Sequence, residues 1–244
     1  MSKNNTVLDL EQSLSNFDKR YRMKKITNMI VCIFIVCMGI FSVEYIWNID
    51  KEGVLTFRWM TVDGTLFTTI LTIMVIVVNL YELIRKRELS RHLAYLARLA
   101  SAVAEGIILI VVLISQLPFF TEHMHIARID MFFMHLCIPL LTILSFITNE
   151  SPERKLSIFD ITIGTSYVIV YLIIIVTMIQ TGILTSEWIP YSFLNFQSYG
   201  IIAPIGFFVI AYIGAGVLAY YLSVWNRKMY WLWFRNVTNK KSNG

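Results

Sequence analysis

Six apolar runs, each long enough to cross a lipid bilayer and joined by short polar connections, constrain this chain more than any other feature. They cover residues 27–47, 58–81, 99–117, 131–148, 160–180 and 199–225. A hydrocarbon core about 30 Å thick requires roughly 20 apolar residues per helix. The 244 residues are therefore consumed by the spans and their connections, and no soluble catalytic domain fits beside them. Composition agrees: 57% of residues are hydrophobic and 15% charged, with a mean hydropathy of +0.64, against about 25% charged in a soluble domain. The predicted fold is all-α, a polytopic membrane helix bundle of about six transmembrane helices. Residues 1–26 form an N-terminal segment, 27–225 the membrane domain and 226–244 a basic and aromatic tail. Leu10, Leu14 and Phe17 at helical spacing suggest a short amphipathic surface helix within the first segment. The first run is too long for a signal-peptide core and reads as a retained helix.

Lysine and arginine in the connections orient the bundle. Of 21 such residues, only Lys51, Arg58 and Arg128 fall on the side opposite the termini. The clusters before span one, between spans two and three (Arg98 counted among them), between spans four and five and after span six all lie on the other side. Six spans with both termini cytoplasmic satisfy the rule. The net charge of +5 then describes a cytoplasmic surface facing the membrane and makes no case for nucleic acid. Membrane lipids are the expected partners, and oligomeric state is not legible. Cys32, Cys37 and Cys137 lie in apolar runs without metal-ligand spacing and read as apolar filler.

Polar and ionisable groups inside spans cost free energy and are functional candidates for that reason. Thr61 lies one turn into span two and His135 one turn into span four. Both spans run inward, so the two side chains lie at one depth below the outer surface and can meet if the spans are neighbours. A hydroxyl becomes a nucleophile when a base takes its proton, and histidine suits that role. The competing structural reading has Thr61 bonding the carbonyl four residues back and His135 bonding a neighbouring helix. Glu44, Arg58, Asp63, Asp130 and the aromatic segment 188–200 fall near the same level. A pocket walled by spans two, three and four and capped by 188–200 is the expected site, with Arg58, Asp63, Tyr191 and Asn195 around the substrate. Arg58, Tyr191 or backbone amides are candidate oxyanion donors. His123 and His125 beside Glu122 read as a solvated loop, with no metal expected. Glu105 reads as two turns into span three from the cytoplasmic side, either structurally paired or the essential carboxylate of a transporter. No G-x-S-x-G, Walker, Rossmann or H-E-x-x-H motif occurs.

The stretches FRWMTVDGTLFTTI at 57–70, FFMHLCIPLL at 132–141 and WIPYSFLN at 188–195, in that order, resemble the androgen-induced family of multipass threonine hydrolases and its bacterial six-pass relatives. The likeness runs over spans two to six. It implies a hydrolase of fatty acid esters of hydroxy fatty acids, with Thr61 as nucleophile, His135 as base, and no cofactor, metal or nucleotide. Two departures stand out. Gly64 and Thr65 occupy positions where the bacterial relatives carry Ser-Asn, and Asp63 follows the threonine by two residues where the animal enzymes have an aspartate at three. No role for Asp63 is carried over. A small transporter or channel and a non-catalytic membrane partner are the alternative functions.

Overall fold

The computed structural model describes residues 3–85, 91–115, 128–152, 154–185, 188–189 and 202–239. Its elements are α1 (Lys3–Asp50), a 3-10 turn (Gly53–Arg58), α2 (Met60–Arg85), α3 (Arg91–Ser115), α4 (Ile129–Asn149), α5 (Ile158–Gly164), α6 (Ser166–Gln180) and α7 (Ile202–Asn239). No strand occurs among the described residues. Among the described residues five helices are long and apolar enough to cross a membrane, or six if α5 and α6, bent by 46° at their junction, are counted as one span. The chain is a multi-pass helical membrane protein.

Two helices exceed the bilayer. At a rise of about 1.5 Å per residue, α1 is about 72 Å long and α7 about 57 Å. Backbone helix continues unbroken from Lys3 into the first span, where a separate amphipathic segment was expected. The Lys24 ammonium lies 5.4 Å from the Tyr230 ring centroid, so the surplus lengths leave the bundle at one end, here called the terminal end. The opposite end is the far end.

α3 is the axis. Of its most apolar stretch 61% is buried, against 17% for α7, because Ala100, Ala102, Ala104 and Gly106 let neighbouring helices approach. α2, α4, α5, α6 and α7 all pack on it, and α1 closes the bundle against α2 and α4. The helix starts eight residues earlier than the apolar run suggested, at Arg91. Arg98 consequently lies inside the bundle with none of its surface exposed, so it is not a connection residue. Its guanidinium reaches Thr72 on α2 at 3.4 Å, Ser145 on α4, and Glu150 just past α4 at 3.4 Å; Glu150 also accepts from Asn28 on α1 at 2.8 Å. Burial pushes the Glu150 carboxyl up, against the opposing pull of Arg98 and Asn28. Asn226 of α7 donates to the carbonyls of Phe146, Ile147 and Glu150 at 2.8, 3.2 and 3.0 Å, tying α7 to the end of α4, where helix carbonyls run short of partners. One polar cluster thus ties α1, α2, α3, α4 and α7 at the terminal end.

α5 begins with a capping box in which Ser157 and Asp160 bond each other's backbone. Asp160 also takes His92 of α3 at 2.9 Å. At the far end, Arg128 bridges Asp50 at the end of α1 and Asp130 at the start of α4, each at 2.8 Å. Those bonds raise the Arg128 pKa further, the Asp50 contact most. Cys32 is buried filler as expected, whereas Cys37 is exposed on the bundle surface.

Candidate functional site

The connection from α1 into α2 reverses direction at Lys51 and Gly53, with φ of 51° and 59°. It then makes a 3-10 turn that delivers Thr61 into the first turn of α2. Span five holds this entry in place. Tyr171 donates to the Arg58 carbonyl at 2.9 Å, and Tyr167 donates to the Met60 carbonyl. Gly64 makes room for that contact, since a Cβ there would lie 2.5 Å from Ile108 Cδ1 and 3.0 Å from the Tyr167 hydroxyl. Ile46, Val62 and Met134 form a small apolar core across α1, α2 and α4 at the same level.

His135 is set by a defect in α4. Pro139 lacks an N–H, and its ring crowds the carbonyl four residues back, which belongs to His135. Between Phe133 and Cys137 the helix widens to a π turn, in which the Ile138 N–H reaches the Phe133 carbonyl. The imidazole Nδ1 then lies 2.8 Å from the Met131 carbonyl oxygen and Nε2 lies 3.2 Å from Thr61 Oγ1. A carbonyl oxygen can only accept, so Nδ1 carries the hydrogen. In the neutral ring Nε2 is left with its lone pair, and the Thr61 hydroxyl donates to it. Thr61 therefore differs from Thr69, Thr148, Thr162 and Thr181, whose hydroxyls bond the carbonyl four residues back. Thr61 is 9% exposed and His135 4%.

The other predicted site residues are placed differently. Arg58 is buried, donates to Glu52 at 2.8 Å, and lies 4.9 Å from the Trp59 ring and 5.2 Å from the Trp188 ring. Asp63 is buried with neither carboxylate oxygen hydrogen-bonded. Neither bonds Thr61 or His135 among the described residues. Tyr191, Asn195 and the Glu122, His123 and His125 loop lie outside the described residues. Tyr167 and Tyr171 were missed; the signal was two phenols spaced four apart in a span, each of which needs an acceptor.

A groove of about 390 Å³ lies between α1 and α2, lined by Gly39, Ile40, Val43, Glu44, Trp47, Leu66 and Thr69. A smaller polar cavity of about 40 Å³ lies at the terminal end beside Lys24, Asn28, Asn79 and Glu150. Neither is lined by Thr61 or His135. The pair is packed among side chains, in contrast to the expected pocket walled by spans two, three and four. Around it, no group of three or more His, Cys, Asp or Glu capable of holding a metal is present among the described residues. Comparison of the chain with protein-family models, with curated proteins and with solved structures finds no match.

Proposed function

We propose that the protein is an intramembrane hydrolase of lipid esters, of the fatty acid ester of hydroxy fatty acid type, acting near the outer leaflet. One observation carries the reading: Thr61 Oγ1 lies 3.2 Å from a His135 nitrogen that is free to accept, because the other nitrogen is bound to Met131. That is the reach a general base needs. In the first half-reaction Nε2 takes the Thr61 proton as Oγ1 attacks the ester carbonyl, then returns it to the departing alkoxide, leaving an acyl-threonine. In the second, water attacks the acyl group as Nε2 takes its proton, and Nε2 returns that proton to Thr61 Oγ1 as the bond to the acyl carbon breaks and the carboxylic acid leaves. Val62 and Asp63 N–H groups bond back to the Trp59 carbonyl, so the first N–H groups of α2, at Met60 and Thr61, are the donors this proposal assigns to the oxyanion. Lipid enters laterally, with an acyl chain along the apolar groove between α1 and α2. The buried pair requires the helices to part during turnover.

The test is labelling by a fluorophosphonate probe, together with release of fatty acid from a lipid ester, in membranes carrying the full chain. Thr61→Ala should lose both. Undiminished labelling or hydrolysis in that variant would end the assignment. A second reading, a small-solute transporter, takes its support from the buried Glu105. Proteoliposome flux lost in Glu105→Gln and kept in Thr61→Ala would favour it.

A further inference from the structure

The hydrolytic scheme leaves two buried, unbonded carboxylates without a task, Asp63 and Glu105, and Glu105 is the more completely buried. Glu105 has none of its surface exposed, and neither of its oxygens is hydrogen-bonded. Glu105 lies well inside α3, within the stretch His92–Ile114 that is apolar enough to cross a membrane. A carboxylate at that depth costs several kcal/mol unless it is neutralised or hydrated.

Its surroundings are polar on one side only. On α2, Thr61, Thr65, Thr68 and Thr72 recur at intervals of three or four and are all buried, so they form one stripe facing inward. On α3, Arg98, Ser101 and Glu105 form a second, and on α4, Thr142 and Ser145 follow His135 on a third. The Thr68 hydroxyl stands beside the Glu105 carboxyl without closing a hydrogen bond. The hydroxyls of Thr65, Thr68 and Thr142 are buried and unpartnered as well. Arg98 sits two turns below Glu105 on the same face, roughly 10 Å along the helix, and is already held by Glu150, Thr72 and Ser145. Asp63 on α2 and His135 on α4 lie toward the far end. Tyr167 and Tyr171 on α6 are spent on carbonyls, and Asp160 on α5 is spent on His92. α7 turns no buried ionisable side chain toward α3 among the described residues.

We infer that Glu105 is an exchangeable proton-binding site inside the α3 span, with the Thr68 hydroxyl beside it. A lone carboxylate with unpaired hydroxyls and no fixed cation beside it binds a proton as its smallest neutralising partner. A hydroxyl can donate to the carboxylate or accept from the carboxylic acid, so Thr68 can serve either state, and a proton delivered by hydronium leaves water behind. The helix around Glu105 is unbroken, so it offers no unwound carbonyls of the kind that coordinate sodium. The inference is independent of the hydrolase reading, since the Thr61 and His135 cycle neither consumes nor supplies this proton.

Infrared difference spectra of the full chain in lipid nanodiscs, between acid and alkaline buffer and in light and heavy water, test it. A protonated-carboxyl stretch should shift on exchange into heavy water, disappear as the pH rises, and shift with carbon-13 glutamate labelling. Glu105→Gln should remove it completely and Thr68→Val should move it, while Thr61→Ala leaves it in place. If Glu105→Gln does not fold, the labelled wild-type band and its displacement in Thr68→Val decide the question. The inference is overturned if the band that shifts with carbon-13 glutamate survives in Glu105→Gln or ignores Thr68→Val. It is equally overturned by the absence of any exchangeable, titrating band, or by loss of the band on adding sodium at constant pH.

Discussion

With Nδ1 of His135 bound to the Met131 carbonyl, only Nε2 remains to take a proton, and this gives the proposed hydrolysis a definite pH dependence. The base works as neutral imidazole. The rate is therefore full above the imidazole pKa and falls about tenfold per pH unit below it. His135→Gln keeps approximate size but removes the base, so hydrolysis should fall by about 10²–10⁴-fold and the acid limb should vanish. A pH–rate profile on a lipid ester in nanodiscs measures both, and an acid limb retained in the variant would assign it to another group. Thr61 and His135 were legible in the sequence because equal depth in two parallel spans is a matter of counting residues. The tyrosines that hold the Thr61 turn were not, because Tyr167 and Tyr171 sit in a run that scores as apolar, and their phenols meet backbone carbonyls of a distant span. Asp63 was conspicuous in the sequence, yet neither of its oxygens meets the pair.

Pro139 acts on a whole helix. The π turn between Phe133 and Cys137 rotates His135 relative to a regular α4, and the proline four residues on supplies the reason. Pro139→Ala restores an N–H and removes the clash, so α4 should relax toward regular geometry and carry the imidazole away from Thr61. The expected result is a loss of kcat on the order of 10²-fold, with an unchanged or raised melting temperature. Unchanged kcat would mean that the proline is not what sets the imidazole. Element existence was readable from the apolar runs, but element ends were not. Arg91 to Arg98 read as a charged connection because a fully buried arginine inside a span has no hydropathy signature; its partners Thr72, Ser145 and Glu150 come from other helices. The bend between α5 and α6 at Thr165 was likewise invisible in a continuous apolar run.

Across the whole molecule, the Arg98 and Glu150 cluster joins helices that are distant in sequence, and the two termini leave at one end. Removing one partner strands a buried charge, so Glu150→Gln should destabilise the bundle by about 3–5 kcal/mol. The double variant Arg98→Met with Glu150→Gln should recover most of that loss, as read by thermal unfolding in detergent. Single losses that simply add would show that the pair is not coupled. The remaining question is which side of the membrane the terminal end occupies, and on that the lysine and arginine distribution makes a commitment. Arg98 leaves the tally because it is buried inside α3, and Arg58 leaves it because its guanidinium is buried against Glu52. The clusters in the N-terminal part of α1, after α2 and in the C-terminal part of α7 still stand against Lys51 and Arg128, so the bias survives the correction. The terminal end is expected in the cytoplasm, and the Thr61 and His135 level under the outer surface. With the native cysteines replaced, Glu122→Cys should react with an impermeant thiol reagent on intact cells, while Lys86→Cys should react only after the cells are opened. Labelling at position 86 on intact cells would invert the bundle, move the proposed site to the inner leaflet, and require substrate to reach it from the cytoplasmic side.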